Sequence, residues 1–92
     1  MPKKQIFTRY KDHDIRVDNT WLSGARLYVN NKCVDEAEQL LALNPAESLL
    51  NTTITTDEGI ETIEVFFLAL FTTKIQIHAN GQLIAGENFN SF

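Results

Sequence analysis

The side chains best suited to catalysis or metal binding are His13, His78, Cys33 and the carboxylates scattered around them. Asp12 and Asp14 flank His13, and together with Cys33 they supply nitrogen, oxygen and sulfur donors of the kind zinc takes. Zinc sites, however, come with spacings such as CxxC, HxxxH or HExxH, and none is present. Both histidines therefore read as solvated surface residues, His13 in a turn and His78 on the polar face of a strand, and no metal site is expected. Cys33 lies in a hairpin arm without the neighbouring base and oxyanion donors that a nucleophilic thiol needs. It reads as a structural thiol, buried or half-buried.

Glu58, Glu61 and Glu64 recur at three-residue intervals, which would align them on a helix but alternates them across a strand. Paired-carboxylate chemistry is thus unsupported. Asp35, Glu36 and Glu38 form a small acidic group that reads as a solvated face. Gly24, Gly59, Gly81 and Gly86 stand alone, outside any phosphate-cradling GxGxxG or GxxxxGK pattern, and read as turn residues. No catalytic set and no cofactor-binding set emerges, so neither an enzyme activity nor a cofactor is expected.

The elements that would position these residues are mostly strands. Thr73, Ile75, Ile77 and Ala79 alternate with Lys74, Gln76 and His78, a period of two that gives one apolar and one polar face. Asn80-Gly81 then supplies the two positive φ angles of a type I′ turn, and Gln82 to Glu87 returns. Ahead of this hairpin, Ile63 and Val65 alternate with Thr62 and Glu64, but Phe66 to Phe71 is apolar on both faces. A strand of that kind is covered on both faces.

Earlier in the chain, Gln5 to Tyr10 and the Ile15/Val17 alternation form a hairpin around the polar turn Lys11 to Asp14. Ala25, Leu27 and Val29 begin a second hairpin, closed at Asn30-Asn31 and returning over Lys32 to Ala37. Its likeness to the Ile75 to Glu87 hairpin fits an internal duplication and fits equally the common rules of all hairpins. Over Asp35 to Leu43 helix and strand are equally supported, with Asp35 and Glu38 spaced as a capping pair ahead of Asn44-Pro45. Ser48 to Asp57 is a threonine-rich strand with Leu50, Thr52, Ile54 and Thr56 on one face, and Glu58-Gly59 is the next tight turn. Trp21, the sole tryptophan, sits between turn signals and reads first as a plug at one end of the core.

Composition narrows the function classes. The chain has 92 residues, suited to a single domain (residues 1–92), with 43% apolar and 22% charged residues, the balance of a globular protein. Its formal charge of −4, from 12 acidic and 8 basic residues, argues against nucleic acid as a partner. The nearly pure apolar run Val65 to Phe71 is far short of a membrane-spanning helix, the N-terminus lacks the apolar stretch of a secretory signal, and the single cysteine suits a reducing compartment. A cytoplasmic address is expected.

Two stretches, DNTWLSGARLYVNNKCVDE (Asp18 to Glu36) and ALFTTKIQIHANGQLIAGE (Ala69 to Glu87), resemble a pattern found in small, functionally uncharacterised bacterial β-proteins of the kind carried in mobile gene (integron) cassettes. The resemblance implies a small β-domain and assigns no catalytic or binding residue. Asn31 stands where glycine is more usual in that pattern.

The fold expected is mainly β: seven or eight short antiparallel strands in a small sandwich or partly open barrel, with at most one short helix near 35–47. The function expected is a non-enzymatic interaction module, self-associating as a homodimer or higher species through the strand face that carries Val65, Phe66, Phe67, Leu68 and Leu70, or through a sheet edge by β-augmentation. The alternative is a small-ligand-binding barrel or minor enzyme, with Trp21, Tyr28 and His78 near a cleft.

Overall fold

The computed structural model describes residues 3–20, 24–37, 47–69 and 73–86. They form eight strands: β1 (Lys3–Tyr10), β2 (His13–Thr20), β3 (Gly24–Val29), β4 (Lys32–Ala37), β5 (Leu50–Thr56), β6 (Gly59–Ala69), β7 (Thr73–Ala79) and β8 (Gln82–Gly86). All pair antiparallel with their sequence neighbours in two four-stranded meanders, β1-β2-β3-β4 (the N-sheet) and β5-β6-β7-β8 (the C-sheet). Among the described residues no hydrogen-bonded ladder joins the sheets, so the architecture is a sandwich and not a closed barrel. No helix occurs among the described residues.

Four tight turns set the register. Lys11-Asp12, Asn30-Asn31 and Asn80-Gly81 each place two consecutive residues at positive φ, the type I′ geometry that matches strand twist. The Asn pairs were legible in the sequence; Lys11, at φ 45, adopts a conformation that side-chain sterics make uncommon for lysine. The fourth turn lies at Asp57-Glu58, one residue before the expected position, and Gly59 opens β6 at φ 114.

The core lies between the sheets. Ile15, Val17, Ala25 and Leu27 from the N-sheet meet Leu50, Ile54, Ile63, Val65, Phe67, Ile75, Ile77 and Ala79 from the C-sheet, and all are buried. Each comes from alternate strand positions, which period-two patterning shows in the half-polar strands; Val65 and Phe67, expected at an association face, belong to this core as well. Of the stretch 35–47, Asp35 to Ala37 belong to β4, which decides those three for strand, and 38–46 lie outside the described residues.

At each corner of the sandwich an edge strand of one sheet meets an edge strand of the other, β4 beside β5 and β1 beside β8. The first corner is fastened by Asp35, whose carboxylate accepts from Glu36 N at 2.9 Å and from Asn51 N at 2.9 Å. Asp35 is therefore a joint between the sheets and not a helix cap.

Candidate functional site

Two places concentrate functional side chains: the tips of the β1–β2 and β5–β6 hairpins, and the outward faces of the sheets. At the tips, β6 continues its alternation back from Ile63 to Glu61, which puts a carboxylate on the core side of the strand. Glu61 is buried, with 4% exposure, and burial of an ionised group is costly unless it is paired. Three donors meet it: Lys11 Nζ at 2.7 Å, Tyr10 Oη at 2.6 Å and Thr56 Oγ1 at 2.9 Å. Lys11 also donates to the exposed Glu58 at 2.7 Å.

Hydrogen bonds from Lys11 and then Tyr10 draw the Glu61 carboxyl down to about 2. Its two carboxylate partners, Glu58 first, raise the Lys11 ammonium, and donation to Glu61 raises the Tyr10 phenol. A carboxylate so acidic, with both oxygens occupied, neither accepts nor delivers protons near neutral pH. Glu61 is therefore a structural clasp between the sheets, not a general base. A cleft of about 390 Å³ opens beside it, lined by Lys11, Asp12, His13 and Thr55 to Glu58. His13 is turned back onto its own hairpin, with Nδ1 at 2.9 Å from the Lys11 carbonyl. No group of three or more metal-ligating side chains occurs among the described residues.

The outward faces differ. On the N-sheet, Phe7, Arg16, Tyr28 and Cys33 form one row across four strands, and Gln5, Asp18, Arg26 and Glu36 the next. Arg16 lies over the Tyr28 ring, its guanidinium carbon 4.2 Å from the centroid, a cation–π arrangement. Ion pairs Arg9–Asp14, Arg16–Asp18 and Arg26–Glu36 cover the rest at 2.6, 3.3 and 3.3 Å. The Arg16 Nε contact lacks hydrogen-bond geometry, and among the described residues that buried atom has no hydrogen-bond partner besides its ion pair. On the C-sheet, Phe66 and Leu68 project outward and are half-buried, the Phe66 ring centroid is 4.6 Å from that of His78, and Leu83 beside His78 is half exposed. His78 Nε2 lies 3.1 Å from Gln76 Oε1.

These positions sort the residues singled out from the sequence. Val65 and Phe67 are enclosed in the core, because they alternate with Phe66 and Leu68; in the intact sandwich only the latter pair is available on the outward face. Leu70 and Trp21 lie outside the described residues. Tyr28 and His78 sit on opposite outer faces and do not converge on one cleft. Cys33 is exposed, where a buried or half-buried thiol was expected, because β4 is an edge strand and Cys33 pairs with outward-facing Tyr28. Glu61 was passed over as one of three spaced glutamates. Its signal was available, since a residue two before Ile63 shares the face of Ile63.

With this geometry in hand, comparison with known proteins adds no assignment: no protein-family model, no curated protein and no solved structure matches the chain.

Proposed function

We propose that the chain is a small non-enzymatic interaction module that associates with a second copy of itself through the outer face of the C-sheet. The observation that carries this reading is the apolar group Phe66, Leu68 and Leu83 on the outward face of the C-sheet, where the Phe66 ring lies diagonally against His78, among the polar Glu64, Lys74 and Gln76. The corresponding face of the N-sheet carries the ion pairs Arg9–Asp14, Arg16–Asp18 and Arg26–Glu36 around its exposed Phe7. Exposed apolar rows of this kind favour association, and a two-fold dimer would bring the same face of both copies together.

Edge pairing is the weaker route. Both β4 and β8 carry register shifts that twist an edge away from further strand addition, and the other two edges, β1 and β5, lie at the corners beside them. A cytoplasmic address fits the unpaired, exposed Cys33. The likeness to cassette-borne bacterial β-proteins is compatible with a small interaction module and adds no chemistry to it.

Absolute mass by light scattering behind a sizing column, on protein never unfolded, tests the proposal. The expected result is a dimer, and a folded, soluble monomer for Phe66→Glu and for Leu68→Glu. A monomeric parent chain at every concentration overturns it, as does an unchanged dimer in both variants.

A further inference from the structure

The two sheets share one plan of strand order and register. Ile15, Val17 and Leu27 of the N-sheet occupy the registers of Ile63, Val65 and Ile77 in the C-sheet, and Thr8 pairs with Ile15 as Thr52 pairs with Ile63. The correspondence extends to irregular features, which hairpin rules do not dictate. Pairing of β3 with β4 shifts between Leu27 and Tyr28, leaving Val34 as the extra residue. Pairing of β7 with β8 shifts between Ile77 and His78, leaving Ile84.

The turn asparagines also do the same work in both halves. Asn30 Oδ1 accepts from Asp14 N at 2.9 Å and Asn30 N donates to Asp14 O at 2.8 Å; Asn80 Oδ1 accepts from Thr62 N at 2.8 Å and Asn80 N donates to Thr62 O at 2.9 Å. Even the corners correspond: β1 maps onto β5 and β4 onto β8, so the β4–β5 and β1–β8 corners exchange under one pseudo-two-fold operation.

We infer that the chain is a tandem duplication of one four-stranded meander, and that the inner face of each sheet is a docking surface for the complementary half of a second copy of this chain. In an unfused meander the apolar face could be covered only by another molecule, so the contact now made within one chain began as a contact between two. The present topology keeps that option open. Each sheet is contiguous in sequence, no described strand crosses from one sheet to the other, and the halves are joined covalently only through 38–49. A dimer with exchanged halves repeats the core and the Glu61 and Asp35 clasps unchanged, between chains instead of within one. Its cost relative to two monomers is the lost effective concentration of a short tether, which lies in the millimolar range. Interconversion must part the sheets and expose the core, so both species persist once formed.

The test is refolding from guanidinium at about 1 mM and at a thousandfold lower concentration, followed by dilution and sizing. The dimer fraction should be substantial at the higher concentration, near zero at the lower, and stable for hours after dilution. The same result is expected from Phe66→Glu, which removes the outer-face association proposed above. A persistent dimer that Phe66→Glu abolishes, or no persistent dimer at either concentration, overturns the inference. Asp35→Cys with Asn51→Cys, on a Cys33→Ser background, marks the connectivity across the β4–β5 corner. After oxidation the dimer fraction should run at twice the chain mass on a non-reducing gel and the monomer fraction at chain mass. A dimer fraction running at chain mass is joined by its surfaces and also overturns it. If the disulfide forms in neither fraction, persistence of the Phe66→Glu dimer after dilution decides alone.

Discussion

The N-sheet and the C-sheet share strand order, bulges and the geometry of their Asn-led turns, yet they part ways at the β1–β2 and β5–β6 tips, at both ends of the core and on the outer faces. Asn19 and Ala25 pair in the N-sheet where Phe67 and Ile75 pair in the C-sheet. One sheet is small and polar at that level and the other is large and apolar, so the C-sheet supplies most of the described apolar volume there. At the opposite end the C-sheet hairpin runs two pairs longer and contributes Glu61, which the N-sheet meets with Tyr10 and Lys11. Charge is divided as well: seven of the eight lysines and arginines precede position 33. A shared backbone plan thus carries two inner faces that match at the middle of the core and differ at its ends, and two outer faces that differ throughout.

The sharpest way to break that comparison is at the Asn19/Phe67 level. Phe67→Ala removes a ring that is 1% exposed and should cost roughly 3–5 kcal/mol in chemical denaturation, a large part of the stability of a small domain. Asn19→Ala removes an amide whose buried oxygen has no hydrogen-bond partner among the described residues, and should change stability by less than about 1 kcal/mol in either direction. Equal costs at the two positions would mean that the layer is not divided into a filling side and a receiving side.

The clasp at the other end gives the next largest effect, and it depends on pH. Glu61 is drawn from 4.5 to about 2 in the fold, so the unfolded chain binds its proton first. Its contribution is full above the unfolded value and is lost as pH falls toward 2. Lys11 is raised, so the partner side of the clasp is intact below its ordinary value of 10.5 and weakens as pH rises beyond it. Glu61→Gln should lower the melting temperature by several degrees at neutral pH and flatten its decline between pH 4.5 and 2. An unchanged acid limb would show that the two hairpin tips meet without coupling.

What the sequence disclosed follows the range of the forces involved. Strand alternation and Asn-led turns are local, and they located seven of the eight strands closely and the Asp57-Glu58 turn to within one residue. Pairing within each meander follows from short connections. What stayed hidden depends on neighbours distant in sequence. Cys33 is exposed because β4 ends a sheet; Tyr28 and His78 separate because they belong to different sheets; Asp35 is a joint because β5 lies beside it. Glu61 was half legible: its face could be read from Ile63, but its partners Tyr10 and Lys11 are about 50 residues away.

The smallest expected effect asks whether the two halves still obey the same local rule. Asn30-Asn31 and Asn80-Gly81 close equivalent hairpins, with second-position φ of 68 and 80 respectively. Asparagine tolerates that region and glycine adopts it freely, while the first-position asparagines hold equivalent hydrogen bonds to Asp14 and Thr62. Asn31→Gly should therefore stabilise the chain by a few tenths of a kcal/mol, and Gly81→Asn should destabilise it by about the same amount, since no side chain is crowded at Gly81. Asn30→Ala and Asn80→Ala should each cost on the order of 1–2 kcal/mol, from the lost hydrogen bond and an alanine held at positive φ. The informative quantity is the difference between the two sheets. Matching losses mean that the turns remain interchangeable after the faces have diverged. A much larger loss at Asn80 would mean that the C-sheet relies on its turn for more than register, and the equivalence of the halves would then end at the backbone.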